Sequence, residues 1–107
     1  MIASSKAEPL SPLQYDDITL NTETHRVWVN GTEIQLTFKE YEILELLLRN
    51  RNNVLSMKQI YEKVWHEEFI GAENTVMMHI ANLRKKLDFD KSGRNIIKTV
   101  WGRGYKI

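Results

Sequence analysis

The stretch from Asn74 to Leu87, NTVMMHIANLRKKL, constrains this chain more than any other. At 3.6 residues per turn, Val76, Ile80, Leu83 and Leu87 fall on one stripe, the pattern of a helix that lays an apolar face on a core. The opposite face collects Asn74, Met78, Ala81, Asn82 and Lys85. Thr75, His79 and Lys86 flank it on one side, Met77 and Arg84 on the other. That surface holds amides and cations and no carboxylate. Its chemistry suits the major groove of DNA, where base edges and neighbouring phosphates accept such groups.

The charge distribution points the same way. A net charge of +1 conceals 7 Lys+Arg against 12 Asp+Glu in residues 1–73 (net −5) and 8 against 2 in residues 74–107 (net +6). Basic charge gathered in the last third is the footprint of a polyanion-binding face, although charge alone also fits a solvated basic surface. At 107 residues and 42% hydrophobic, the chain supports one small core. With no cysteine, neither a disulfide framework nor a thiolate metal site is available. No apolar run approaches the roughly 18 residues of a membrane span, and the N-terminus lacks a signal-peptide core. The expectation is a cytoplasmic domain without membrane contact.

Enzymatic chemistry finds no foothold. His25, His66 and His79 lack the local spacing of a zinc site. There is no phosphate-cradling glycine loop and no nucleophile elbow. Glu67 and Glu68 are adjacent and read as solvated. No catalytic group, metal or cofactor is expected.

Along the chain, residues 1–12 are small, polar and punctuated by Pro9 and Pro12, which reads as a linker ahead of a folded domain spanning residues 13–107. Such a start suggests a fragment cut at an inter-domain linker; a plain terminal tail is the alternative. From Tyr15 to Leu36, Ile18 and Leu20, Val27 and Val29, then Ile34 and Leu36 alternate with polar neighbours, predicting three antiparallel strands. Asn30-Gly31 between two of them is the turn pair a type I′ hairpin demands. Thr37-Phe38-Lys39-Glu40 and Ser56-Met57-Lys58-Gln59 are capping boxes that open two helices. Phe38, Tyr41, Leu44, Leu47 and Leu48 form the first apolar face; Ile60, Tyr61, Val64 and Trp65 form the second. The connector His66 to Glu73 exceeds the roughly 3–4 residues of a minimal helix-turn-helix. After the third helix, Ile96 to Val100 and Tyr105 to Ile107 read as strands joined by a tight turn at Trp101-Gly102-Arg103-Gly104. The fold class is α+β: a winged helix-turn-helix with an N-terminal antiparallel β-sheet, a three-helix core and a C-terminal β-hairpin wing.

At this point the residues resemble a known family. VWVNGTEIQLTFKEYEILELLL, VLSMKQIYEKVW, NTVMMHIANLRKKL and IKTVWGRGYKI, in this order and spacing, are similar to the C-terminal effector domain of OmpR/PhoB-type response regulators from about Ile18 to Ile107. The resemblance implies sequence-specific binding of double-stranded promoter DNA for transcription regulation. The third helix would lie in the major groove and the wing in the minor groove. It also implies an N-terminal receiver domain phosphorylated by a sensor kinase, and two copies on direct-repeat half-sites, the isolated domain being a monomer.

By the same resemblance, Thr75, His79 and Arg84 sit where the family contacts the backbone or groove edge, and Thr99 where a wing residue contacts phosphate. Trp65 matches a tryptophan whose ring packs inward while its indole N–H reaches a phosphate; a purely structural ring is the alternative. Asn82 is the candidate for direct adenine readout, and Asn74 shares that chemistry unless it serves as the helix N-cap. Met78 and Ala81 offer apolar contact to thymine methyls, and Lys85 meets a phosphate. The wing departs from the usual Arg-Gly-x-Gly-Tyr: here the cation is Arg103, placed for an A·T-rich minor groove, while Trp101 braces the hairpin or lies along the sugar-phosphate backbone. Glu67, Glu68 and Phe69 are candidate contacts to RNA polymerase. A protein-binding winged helix, favoured by Met77, Met78 and Ala81, remains an alternative, as does the same domain in a membrane-anchored one-component activator.

Overall fold

The apolar alternation near the N-terminus becomes a row of cross-strand pairs. In a computed structural model, which describes residues 13–107, the first elements are β1 (Leu13–Tyr15), β2 (Ile18–Asn21), β3 (Arg26–Val29) and β4 (Thr32–Ile34), joined in sequence order as an antiparallel sheet. Ile18 lies opposite Val29 and Leu20 opposite Val27, and all four are buried. Such pairs on one face are the unit of sheet stability. The Asn30-Gly31 turn has φ of 50° and 82°, the two positive values the type I′ hairpin needs. Two differences from expectation appear. β1 is an additional strand, too short to show alternation and defined by pairing Leu13 with Leu20 and Tyr15 with Ile18. Leu36 lies beyond β4, half-buried against the core. The linker expectation for residues 1–12 falls outside the described residues.

Both capping boxes form. The Glu40 N–H donates to Thr37 Oγ1 at 3.2 Å and the Thr37 N–H to Glu40 Oε1 at 2.9 Å, opening α1 (Phe38–Arg49). Ser56 and Gln59 exchange the equivalent bonds at 3.0 and 2.8 Å at the start of α2 (Met57–Trp65). Phe38 is not in the core as expected but 58% exposed, because its helical phase places it with Glu42, Glu45 and Arg49; Ile43, in phase with Glu40 and Leu47, is buried instead. α3 (Glu73–Leu87) begins one residue earlier than read, with Ala72 at its N-cap, so Asn74 is not the cap. Val76, Ile80, Leu83 and Leu87 are all buried, meeting Leu44, Leu47, Ile60 and Val64 in one cluster.

Long-range polar ties then fix α3. Glu40 is buried, and its Oε1 also accepts from Lys86 Nζ at 2.6 Å, joining the start of α1 to the end of α3. Arg94, its side chain 7% exposed, donates to Asp17 Oδ2 (2.7 Å), Asp90 Oδ1 (2.7 Å) and the Leu87 carbonyl (2.8 Å). This clamps the loop after α3 to the sheet.

The last elements are β5 (Lys98–Val100) and β6 (Gly104–Lys106), an antiparallel hairpin with Thr99 opposite Tyr105. β6 also pairs with the connector before α2: the Leu55 N–H donates to the Tyr105 carbonyl at 2.8 Å and the Tyr105 N–H to the Leu55 carbonyl at 2.9 Å. Gly104 makes that approach possible. Its φ is +147°, and a Cβ there would sit 2.0 Å from the Leu55 oxygen.

Candidate nucleic-acid interface

With its apolar stripe buried, α3 leaves Asn74, Met78, Ala81, Asn82 and Lys85 exposed on the opposite face. No hydrogen bond or ion pair to another described residue occupies the side chains of Asn74, Asn82 or Lys85. The amide groups and the ammonium are therefore free to meet a ligand. Met78 is 59% exposed and Met77 42%, apolar surface set among polar groups. Because α3 starts at Glu73, Asn74 stands in the first turn with its side chain available.

One flank of this face is an aromatic group. Trp65 is half-buried and stacks on Tyr61, with centroids 4.9 Å apart and planes 10° apart, and meets the His79 ring edge-on at 4.9 Å. His79 Nδ1 lies 2.7 Å from the Thr75 carbonyl. That distance selects the tautomer in which Nδ1 donates, leaving Nε2 for a partner outside. The indole N–H of Trp65 has no acceptor among the described residues. Lys39, a residue the sequence reading passed over, joins this group: its Nζ donates to the Val64 carbonyl at 2.9 Å and lies 5.5 Å from the Trp65 ring. The two residues are 26 positions apart, so no local pattern announces the contact.

The other flank leads to the wing. Arg84 does not stand free. Its Nε and Nη2 donate to the Ile97 carbonyl at 3.2 and 3.0 Å, and Nη2 also donates to Thr99 Oγ1 at 2.7 Å. Its guanidinium carbon lies 5.7 Å from the Tyr105 ring centre. Two of its three nitrogens are thus spent on the hairpin, and the third is left for the backbone or groove-edge contact expected of this residue. Thr99 accepts from Arg84, so its own O–H remains to donate outward. At the turn, Arg103 is exposed and has no ion-pair partner among the described residues. Trp101 is 89% exposed, which overturns the bracing role, since a ring in solvent supports nothing. Trp101, Arg103 and Val100 border a cleft of about 470 Å³ whose far wall includes Met77 and Glu73 of α3, so wing turn and helix stand side by side.

The basic excess of residues 74–107 is smaller in space than in sequence. Lys86 is neutralised by Glu40, and Arg94 by Asp17 and Asp90. What remains for a polyanion on the outer face of α3 and at the wing turn is Lys85, Arg103 and the outward nitrogen of Arg84; Lys91 and Lys106 also lack an ion-pair partner among the described residues but stand elsewhere in the chain. Lys98 adds an exposed cation on β5, its Nζ bonded to the Asn95 carbonyl.

The connector between α2 and α3 divides the three expected polymerase contacts. Glu68 is exposed. Glu67 accepts from the Tyr61 hydroxyl at 3.2 Å, an interaction that, after burial, helps raise the Tyr61 pKa. Phe69 turns inward: its ring tilts against Tyr61 at 5.7 Å and its N–H donates to Glu62 Oε2 at 3.0 Å. As an outward contact Phe69 is replaced by Ile70, 76% exposed. Among the described residues no three His, Asp or Glu side chains gather around one metal position. Among the described residues no helix is long and apolar enough to cross a membrane.

Comparison with known proteins gives this geometry a context. The family described as "Transcriptional regulatory protein, C terminal" matches residues 31–107. The response regulator SaeR of Staphylococcus aureus is 38% identical over 99 residues, 92% of this chain. The chain spans 43% of that relative's length. The crystal structure of the DNA-binding domain of CpxR from E. coli is 31% identical, with a TM-score of 0.79 over 90% of this chain and 94% of that one. The DNA-binding domain of the response regulator AdeR, solved in complex with an intercistronic region, is 26% identical, with a TM-score of 0.77 over 88% of this chain and 96% of that one.

Proposed function

Because the chain belongs to the transcriptional regulatory protein C-terminal family, we propose that it binds double-stranded promoter DNA and regulates transcription as the output domain of a response regulator. The observation that carries this reading is the face of α3: Asn74, Asn82 and Lys85 are exposed and without a hydrogen-bond or ion-pair partner among the described residues, and the wing cation Arg103 stands across a cleft from the same helix. α3 enters the major groove and the wing turn the adjacent minor groove. Asn82, and Asn74 a little over two turns before it, present amides that pair bidentately with adenine, while Met78 contacts thymine methyls. Lys85, the outward nitrogen of Arg84 and the Thr99 hydroxyl grip one strand. Thr75, the Trp65 indole N–H and Lys39 take phosphates of the other, and His79 joins them as the imidazolium, in which Nε2 also carries a proton to donate. Phosphate contacts give affinity, and the few base contacts give sequence preference.

With so few amides at the bases, one copy discriminates weakly, and specificity comes from two copies on repeated half-sites. In the full-length protein a phosphorylated receiver, served by a sensor kinase, controls that pairing in the cytoplasm. Glu68 and Ile70 on the α2–α3 connector are the side chains offered to RNA polymerase. Fluorescence-anisotropy titration of random duplex DNA at low and moderate salt tests the reading. Micromolar binding that weakens steeply with salt is expected, from counterion release. Absence of salt-sensitive binding would favour a protein-binding winged helix instead.

A further inference from the structure

We infer that Arg84 is a positioning residue that sets where the wing stands relative to α3, so that minor-groove contact by Arg103 depends on it. The inference rests on the DNA-binding reading above and adds a division of labour within it. The hairpin is held on its outer side by backbone bonds: Leu55 with Tyr105, and the Asn52 N–H to the Ile107 carbonyl at 3.0 Å. On its inner side, the hydrogen bonds between α3 and the hairpin among the described residues are those of Arg84. They reach the Ile97 carbonyl just before β5 and the Thr99 side chain within it, while the guanidinium also lies by the Tyr105 ring of β6. One planar group therefore touches the entry to the hairpin and both of its strands.

Arg94 makes a useful contrast. Its side chain is buried and joins the sheet to the loop after α3, so it holds the fold together, with no hydrogen bond to β5 or β6 among the described residues. Arg84 is half-buried, stands on the side of the candidate interface and crosses to the wing itself. A fork of fixed geometry is what such a cross-tie needs, and lysine cannot reproduce it. Binding groups held loosely by their supporting shell lose most of their contribution. Freed from Arg84, the wing turn keeps its local structure through Gly102 and Gly104 but loses its set position beside α3.

The test is a double-mutant cycle on one duplex with an A·T-rich flank, reading dissociation constants for the unmodified domain, Arg84→Gln, Arg103→Ala and the double variant. Positioning predicts that Arg84→Gln weakens binding by roughly tenfold alone but by less than about twofold once Arg103 is gone, a coupling within the range of residues sharing one network. It predicts that Arg84→Lys, which keeps the charge, is nearly as impaired as Arg84→Gln, and that both lose preference for the A·T-rich flank over a G·C-rich one. Equal losses in the two backgrounds, or rescue by lysine, would overturn the inference and leave Arg84 with its phosphate contact alone. Circular-dichroism melting of each variant confirms that the domain measured is folded; if Arg84→Gln is unfolded at the assay temperature, the Arg84→Lys flank preference decides. Salt-sensitive binding by the unmodified domain separates this outcome from failure of the DNA-binding reading itself.

Discussion

Gly104→Ala is the substitution whose consequence follows most directly from distances. The new Cβ would fall 2.0 Å from the Leu55 oxygen, whereas ordinary contact begins at 3.4 Å, so β6 and the Leu55 connector must part by about 1.4 Å. The paired bonds of 2.8 and 2.9 Å between Leu55 and Tyr105 then exceed 4 Å and cease to be hydrogen bonds. Each contributes about 1 kcal/mol net, and groups left unsatisfied in a buried site cost more. Alanine at a φ of +147° adds strain of order 1 kcal/mol. Together these give a loss of about 3 kcal/mol, which for a domain of this size lowers Tm by roughly 12–24 °C. Circular-dichroism melting reads the effect, and anisotropy at low temperature reads its consequence for DNA. A variant melting within about 3 °C of the original would refute the claim that this close approach supports the wing. A strongly destabilised variant with unchanged DNA affinity would refute the wing's part in binding.

Other outcomes follow from the same geometry. Lys85→Ala should weaken binding alike on all sequences and reduce the slope of log K against log salt by about 0.9, whereas Asn82→Ala should relax preference at one base position, read by competition with single-substituted duplexes. Arg94→Met should lower the urea midpoint more than Arg26→Met, because Arg94 is enclosed by Asp17 and Asp90 while the Arg26–Glu33 pair lies open on the sheet. In acid, Glu40 and Asp90 should both contribute to unfolding. Burial alone would raise the Glu40 pKa, but bonds from Lys86 and Thr37 outweigh it and hold it below the usual value. The Arg94 hydrogen bond holds Asp90 near 2. Both groups are more acidic folded than unfolded, so their stabilisation is present above about pH 4 and disappears as pH falls through the folded values. Urea midpoints from pH 5 to 2 should therefore drop less in Glu40→Gln than in the original chain.

What was legible in the sequence was local. Asn30-Gly31 specified its turn through two positive φ values, and Thr37 with Glu40 and Ser56 with Gln59 specified helix starts, because each device closes within a few residues. The α3 stripe was equally plain, since burial at 3.6-residue spacing leaves only one face for function. What escaped was set by partners far along the chain. β1 exists because Leu20 and Ile18 receive it. Lys39 reaches the Trp65 ring across α1 and α2. Asp17 and Arg94 meet across 77 positions. Nothing near Arg84 in the sequence announces its bonds to Ile97 and Thr99, and of the two roles open to Trp101 the exposure of its ring removes the brace. Charge counting overstated the interface for the same reason: Glu40 neutralises Lys86, and Asp17 and Asp90 together hold Arg94.

On the function proposed, α3 and the wing engage adjacent grooves of one duplex. Dimethyl sulfate footprinting on a bound duplex tests it in a single measurement, because guanine N7 reports the major groove and adenine N3 the minor. Engagement of both grooves predicts guanine N7 protection over a few base pairs, flanked within the same turn by adenine N3 protection that disappears in Arg103→Ala. Unprotected guanines at saturating protein, or adenine N3 signals indifferent to Arg103, would contradict it.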